Sequence, residues 1–495
     1  MIPAALSAVL YAAAFSITPL WWVAFFSIAP LLLALDRSVS LKAAVGRMAL
    51  FSIIVSCSMG YWILNALVVH YQISIPVAAC FFLTAVIAPV LLIHLLTAFF
   101  YVFLNNHSLF FYTLVVPSLW VTGDYVKDMV NLLIPWGDLG YALVEWPVYF
   151  QIADLGSVRL VTFIVVMFNA LLISRFSTKI EPGKPAAAPV ILGIILILPV
   201  CYGYSRQYLS RAAINSGDPV PVTIVQGNYT PGDRWGGLGF FQRLKVYITL
   251  SAPAQAPNRP GIIVWPETVL NQPDALTDPF FASLAQGIDR GNVLLTGGLK
   301  QDRRGHGLYN SVYLVSTGLP QQRYDKHILL PYSERAPVIG PLFHYYNTPD
   351  RFIPGKTPGC LATPFGKAGV SICFEILYPG YIRHAVKQGA TFLVNVSNDS
   401  WFGHSTMPYS HLKAARARAV ETGRYLLRSS NSGFSAIIKP DGIPTATSSL
   451  FQAQQISGSF FSLRGRTIYT QWGEWVFMLS LAVLAVQVLW TGIRI

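Results

Sequence analysis

Long apolar runs fill the first 210 residues, stop, and return once at the end of the chain. A bilayer core about 30 Å thick takes roughly 20 apolar residues in a helix. Residues 2–35 carry no charge and are long enough for two spans, divided by a turn near Thr18-Pro19. Further spans are expected at 48–69, 76–104 with a kink at Pro89, 109–123, 160–174 and 189–204, and an eighth at 475–493. The pattern therefore predicts a seven-helix transmembrane domain over 1–210 and a C-terminal transmembrane helix over 473–495. Because the first apolar run continues straight into more membrane sequence, no cleavable signal is expected.

The interval 218–466 has a different rhythm. Short Val/Ile-rich runs at 222–226, 261–265, 293–296, 311–315, 369–373, 391–396 and 435–438 alternate with amphipathic stretches, which predicts an α/β domain. The best helix there is 411–424, apolar at Leu412, Ala415 and Ala419 with its basic residues on other faces. Gly236-Gly237-Leu238-Gly239 lacks the Gly-Lys-Ser/Thr ending of a phosphate loop and is expected to be a flexible loop.

Composition agrees with the membrane assignment: 53% of the 495 residues are hydrophobic, 12% are charged and mean hydropathy is +0.49. A soluble protein with so few charges could not cover its surface, since about 25% is typical. The net charge of +13 is scattered, without a Lys/Arg block, so a nucleic-acid partner is not expected. Charge instead sets orientation. Arg37, Lys42 and Arg47 lie in one short loop and Arg175, Lys179 and Lys184 in another, both after an even number of spans. Positive loops stay in the cytoplasm. The interval 218–466, after seven spans, is then expected outside it.

Five cysteines occur, at 57, 80, 201, 360 and 373, with the first three inside apolar runs. Cys360 and Cys373 show no CxxC and no metal-ligand spacing. A disulfide between them is compatible with the sequence. Cys360 sits in a Pro-Gly loop and reads as a spectator. His404 and His411 lack a third ligand and read as structural. Arg416, Arg418 and Arg428 suit either phosphate headgroups or salt bridges around the helix.

Three polar residues follow apolar strand-like runs: Glu267 after Ile262-Ile263-Val264-Trp265-Pro266, Lys326 in Tyr324-Asp325-Lys326-His327, and Cys373 after Val370-Ser371-Ile372. Ligands of open α/β sheets bind beyond the strand ends. Taken singly, each residue has an ordinary explanation as a structural thiol or a solvated charge. The flanking words change the picture. Trp265-Pro266-Glu267, Tyr324-Asp325-Lys326-His327-Ile328-Leu329-Leu330-Pro331 and Ile372-Cys373-Phe374-Glu375 resemble the Glu–Lys–Cys site of the nitrilase superfamily. Asn395-Val396-Ser397-Asn398-Asp399-Ser400-Trp401-Phe402-Gly403, Arg428-Ser429-Ser430-Asn431-Ser432-Gly433 and, in the apolar half, Pro135-Trp136-Gly137 sharpen the resemblance. With seven spans before the domain and one after it, the chain resembles the membrane-bound branch of that superfamily, the apolipoprotein N-acyltransferases.

That resemblance implies a nitrilase-like α-β-β-α sandwich beside about eight transmembrane helices. It implies Cys373 as nucleophile, Glu267 as general base and Lys326 as stabiliser of the oxyanion. Glu334 and Glu375 would support them, and Trp235, Phe374, Asn398 and Trp401 would handle substrate. No metal and no dissociable cofactor is implied. The implied partners are a membrane phospholipid as acyl donor, a diacylglyceryl-modified apolipoprotein as acceptor, and the bilayer. The implied setting is a bacterial inner membrane, multi-pass, with the catalytic domain on the periplasmic side. Departures from the family pattern include Tyr332-Ser333 before Glu334, Arg335 after it, Phe374 for a frequent tyrosine, and Asp124 and Lys127 for a Glu and an Arg. They bear on substrate preference rather than reaction class. The rivals are a membrane-tethered amidase or acyltransferase acting on a different amine, and a transporter with an inactive outer domain. Intact Glu267, Lys326 and Cys373, and apolar spans free of charge, disfavour the transporter. Finally, the aromatic segments 236–241 and 341–346 are expected to form a lipid-facing gate around Trp235.

Overall fold

The computed structural model describes the chain except residues 17, 131–136, 175–186, 216, 231–238, 253–258, 289–290, 303–306, 320, 332, 335–351, 357–358 and 495. It divides into two compact units, Met1–Tyr208 with Trp472–Ile495, and Leu209–Gln471.

The first unit is helical. Among the described residues, six helices are long and apolar enough to cross a membrane: Thr18–Asp36, Leu41–His70, Ile75–Leu104, Ala153–Ser174, Ala187–Ala212 and Trp475–Gly492. Two of the eight expected spans fall outside this set. Ile2–Ser16 is a shorter apolar helix of 15 residues. The helix Val116–Val130 runs on past Gly123 and so takes in Asp124, Lys127 and Asp128. The expectation of charge-free spans holds only within the expected edges. The extra turns are tolerable because the charges pair: Lys127 Nζ lies 3.2 Å from Asp124 and 2.6 Å from Asp138. Arg159, on Ala153–Ser174, pairs with Asp128 and, at 2.7 Å, with Glu474. Ionised groups in apolar surroundings persist only when so matched.

The second unit contains twelve strands among its described residues: β1 Val220–Gln226, β2 Ile262–Val264, β3 Val293–Gln301, β4 Leu308–Val315, β5 Gln322–Asp325, β6 Cys360–Thr363, β7 Gly366–Ile372, β8 Phe392–Ser397, β9 Leu426–Ser430, β10 Ala436–Ile438, β11 Pro444–Thr447 and β12 Gln454–Phe460. They form two six-stranded sheets ordered β12-β1-β2-β3-β4-β5 and β11-β10-β9-β8-β7-β6. In each sheet three central strands run parallel, β1–β2–β3 and β7–β8–β9. Those strands are largely buried, as a place between a second sheet and a helical layer demands, and the polar side chains they carry, such as Asn395 on β8 and Arg428 on β9, are buried too.

The sheets meet face to face, and Ser429 on β9 donates to the Val225 carbonyl on β1 at 3.0 Å. Helices Phe240–Ser251 and Asp278–Ile288 cover the first sheet, placing Phe240, Leu244, Tyr247, Phe281, Leu284 and Ile288 against Ile263, Trp265 and Leu294. Helices Pro379–Lys387 and Met407–Thr422 pack on the second. The result is the expected α-β-β-α sandwich.

Three details differ from the sequence pattern. The helix expected at 411–424 starts at Met407, with Pro408 in its first turn, and ends where Gly423 takes φ 63°, a left-handed cap suited to glycine. Its basic residues are not all on solvent faces. Lys413 and Arg418 are buried, and Arg418 pairs with Glu421 at 2.7 Å. Of the expected aromatic gate, Phe240 and Phe241 begin a helix rather than extend a loop, with Phe240 in the core and Phe241 exposed. Residues 236–238 and 341–346 lie outside the described residues.

Candidate active site

Parallel strands release their chains at one edge of each sheet, and that is where the polar residues collect. After β2 the ladder persists for one more bond, Trp265 N to Leu295 O at 2.9 Å, and then the chain turns at Glu267 and Thr268. Thr268 has φ 49°. Gly297 on β3 lets this turn approach: its N–H bonds Pro266 O at 3.1 Å, and a Cβ there would lie 2.5 Å from Glu267 Cα. After β7 the chain turns still more sharply, at Cys373 itself, with φ 51°. A non-glycine residue in this region stores about 1–3 kcal/mol of strain and is typical of a residue thrust out of its strand.

Lys326 follows β5, and its N–H extends the ladder to Asn310 O at 2.8 Å on β4. Its side chain is 1% exposed. Nζ lies 2.8 Å from Glu334 Oε2 and 3.7 Å from Glu267 Oε1. Burial works against its charge, but Glu334 and Glu267 outweigh that and hold Lys326 above the ordinary lysine value. Asn310 ties the two carboxylates together, donating from Nδ2 to Glu267 Oε1 at 2.8 Å and to Glu334 Oε1 at 3.1 Å. Glu334 is fixed further by the Leu330 N–H at 2.8 Å.

Cys373 is buried in the same constellation. Burial and the Glu267 carboxylate push its thiol up to about 12, against the pull of Lys326. The resting sulfur is therefore protonated, and a base must take its proton as it attacks.

Glu375 acts as a staple. It accepts from Ile372 N at 2.8 Å, His327 N at 2.7 Å, Ile328 N at 3.0 Å and Tyr324 Oη at 2.6 Å. One carboxylate thus joins the turn carrying Cys373 to the turn carrying Lys326. Beyond β8, Ser397 donates to Asp399 Oδ1 at 2.8 Å, and Arg428 and His411 hold Asp399 at 2.9 and 3.0 Å. Arg428 also bonds Asn395. Arg418 and Arg428 are thus buried in ion pairs and His411 is hydrogen-bonded to Asp399, while Arg416 donates to Gly442 O at 3.0 Å. Arg418 and Arg428 are not exposed for headgroups.

Of the remaining expected substrate residues, Phe374 is buried against Tyr378, with ring centres 5.4 Å apart. Asn398 accepts from Ser400 Oγ at 2.8 Å and Asn431 Nδ2 at 3.0 Å. Trp401 is half-buried, and Trp235 lies outside the described residues. Cys360 and Cys373 are free thiols, and Cys360 donates to Ala385 O. Among the described residues no group of His, Cys, Asp or Glu is arranged to hold a metal. Sequence inspection missed Asn310, although Asn310-Ser311 interrupts an otherwise apolar strand, a polar break that signals a site.

A double sheet between helices, with Glu, Lys and Cys at its strand ends, defines a carbon-nitrogen hydrolase fold. The Carbon-nitrogen hydrolase family matches residues 221–459, and the Apolipoprotein N-acyltransferase N-terminal domain matches residues 7–171. The chain belongs to the apolipoprotein N-acyltransferase family, within the nitrilase superfamily.

Relatives bearing that name include one from Geobacter metallireducens, 29% identical over 97% of this chain and 94% of its own. Another, from Pasteurella multocida, is 29% identical over 75% and 73%. One from Agrobacterium fabrum is 33% identical over 64% and 61%. Similar solved structures include Saccharomyces cerevisiae Nit3, 20% identical with TM-score 0.39, covering 49% of this chain and 90% of its own. A carbon-nitrogen hydrolase from Helicobacter pylori is 16% identical with TM-score 0.41, covering 52% and 95%.

Proposed function

We propose that this acyltransferase moves an acyl chain from a membrane phospholipid, through a thioester on Cys373, to the α-amino group of a diacylglyceryl-cysteine at the N-terminus of an apolipoprotein. Supporting the reading above all is one observation: a buried lysine flanked by two carboxylates shares a site with a buried thiol. In the first half-reaction Glu267 takes the thiol proton while the sulfur attacks the ester carbonyl. The negative oxygen of the tetrahedral intermediate is stabilised by Lys326, which stays cationic because Glu334 and Glu267 favour its charge. Collapse breaks the ester C–O bond, and Glu267 returns its proton to the departing lysophospholipid hydroxyl. In the second, the amine attacks the thioester, Glu267 takes a proton from nitrogen, and the C–S bond breaks with that proton restoring the thiol. No redox step occurs and no external cofactor enters the balance.

The proposed setting is the bacterial inner membrane, with residues 218–466 on the periplasmic side, where both lipid-anchored substrates are presented. Intact-mass analysis after incubation with phospholipid tests the first half-reaction. An acyl adduct is expected on the wild-type chain and on Cys360→Ala, and none on Cys373→Ala. Loss of the adduct in a folded Cys360→Ala chain would contradict the assignment. Triacylated lipoprotein peptides, read by mass spectrometry, test the second.

A further inference from the structure

Asn310 has an atom that nothing among the described residues uses. The residue is 3% exposed. Its Nδ2 is committed to Glu267 Oε1 and Glu334 Oε1, and its backbone carbonyl accepts from Lys326 N. Two carboxylate oxygens can face only the NH₂ end of the amide, so the two ends are not interchangeable. Oδ1 is then a carbonyl acceptor, buried and without a hydrogen-bond partner among the described residues. A buried orphan acceptor is costly and in a native site calls for a donor from elsewhere. Oδ1 shares a carbon with the nitrogen that grips Glu267, so its donor arrives beside the base.

We propose that Asn310 Oδ1 accepts a hydrogen bond from the incoming amine and makes Asn310 a specificity-determining residue for primary amines; this rests on the proposed thioester at Cys373. A primary amine attacking the acyl carbon spends its lone pair on that bond and keeps two N–H groups. One gives its proton to Glu267. The second meets Oδ1, which can accept a hydrogen bond but cannot take the proton, so the proton balance of the transfer is unchanged. A secondary amine has a single N–H, which Glu267 must receive. It leaves Oδ1 unpaired and presses its substituent against it. Sites built to hydrogen-bond a group reject analogues that lack it because their own polar atoms are stranded. Asn310 thus has two tasks on one amide: Nδ2 holds the base in place, and Oδ1 reads the nucleophile.

The test pairs a substitution with a change in the acceptor. Full-length wild-type and Asn310→Ala chains are charged with phospholipid in detergent micelles, and the acyl-enzyme is quantified by intact mass. Each is then mixed with a diacylglyceryl-cysteinyl peptide bearing either a free α-amine or an N-methyl α-amine, and decay of the thioester is followed. Normalising to the acyl-enzyme present removes the expected slowing of its formation when Glu267 loses a tether. The wild-type preference for the primary amine should fall at least tenfold in Asn310→Ala. Asn310→Ser gives the same ratio should the alanine chain not acylate, since a serine hydroxyl can still donate to one carboxylate. An unchanged preference in a variant that still acylates would overturn the proposal and leave Asn310 as a tether for Glu267 and Glu334. Absence of any acyl-enzyme on the wild-type chain would overturn the thioester mechanism and this inference with it, and so is told apart from the first failure.

Discussion

Gly297→Ala is a single methyl that acts on chemistry through backbone. The added Cβ would lie 2.5 Å from Glu267 Cα, from Pro266 O and from Thr268 N, all main-chain atoms with no rotamer by which to yield. Ordinary contact begins at 3.4 Å, so the turn carrying Glu267 must retreat by about 0.9 Å, or β3 must shift by as much. Overpacking of this size costs about 1–3 kcal/mol of stability. A misplacement of about 1 Å at a reacting group costs on the order of 100-fold in rate, or about 2.7 kcal/mol of transition-state stabilisation. The hydrogen bond from Asn310 at 2.8 Å would stretch with it. Acyl-enzyme formation, followed by intact mass over time, should therefore fall about 100-fold in a chain whose thermal unfolding is only modestly lowered. Gly287→Ala is the control: its Cβ meets open space near the end of a helix, so neither rate nor stability should drop. A Gly297→Ala chain that acylates at the wild-type rate would refute the idea that this close approach positions the base.

Lys326→Arg should fail to restore the activity lost in Lys326→Ala, because a planar guanidinium cannot fit where a compact ammonium sits 2.8 Å from Glu334 and 3.7 Å from Glu267; near-wild-type activity in the arginine chain would show that charge alone suffices. Stability should fall as pH drops below about 6.5, since burial lowers the His411 pKa and the unfolded chain takes up that proton first. Burial opposes ionisation of Asp399, but Arg428 and His411 more than compensate and lower its pKa, so its contribution is present above about 4 and lost as pH falls further. Melting curves from about pH 8 to about pH 2 should show both declines, and His411→Asn should flatten the upper part; an unaltered slope would exclude His411 as the cause. Reporter fusions after Ser210 and after Lys184 should report opposite compartments, and agreement between them would reverse the proposed topology.

Much of this protein is written in one dimension. Apolar run length marks the membrane helices, because each must satisfy its own backbone in lipid and needs a fixed number of residues to do so. The central strands 222–226, 293–296 and 391–396 were visible because burial on both faces leaves short, mostly apolar runs rich in Val, Ile and Leu. Edge strands such as β5, β6, β11 and β12 are part exposed, and only their pairing partners define them. Glu267, Lys326 and Cys373 could be named from the words around them. Their convergence could not, since they lie on two different sheets and meet only when those sheets stack. Asn310 is the clearest case. Its sequence shows one polar residue in a strand, whereas its two carboxylate partners come from 43 residues before it and 24 after it. In the sequence Arg418 and Arg428 suited either headgroups or salt bridges, and the tertiary structure decided for salt bridges, placing both inside against Glu421 and Asp399. Periodicity reports which face of an element is apolar, but a buried charge is admitted only by a partner, and partners are supplied by the fold.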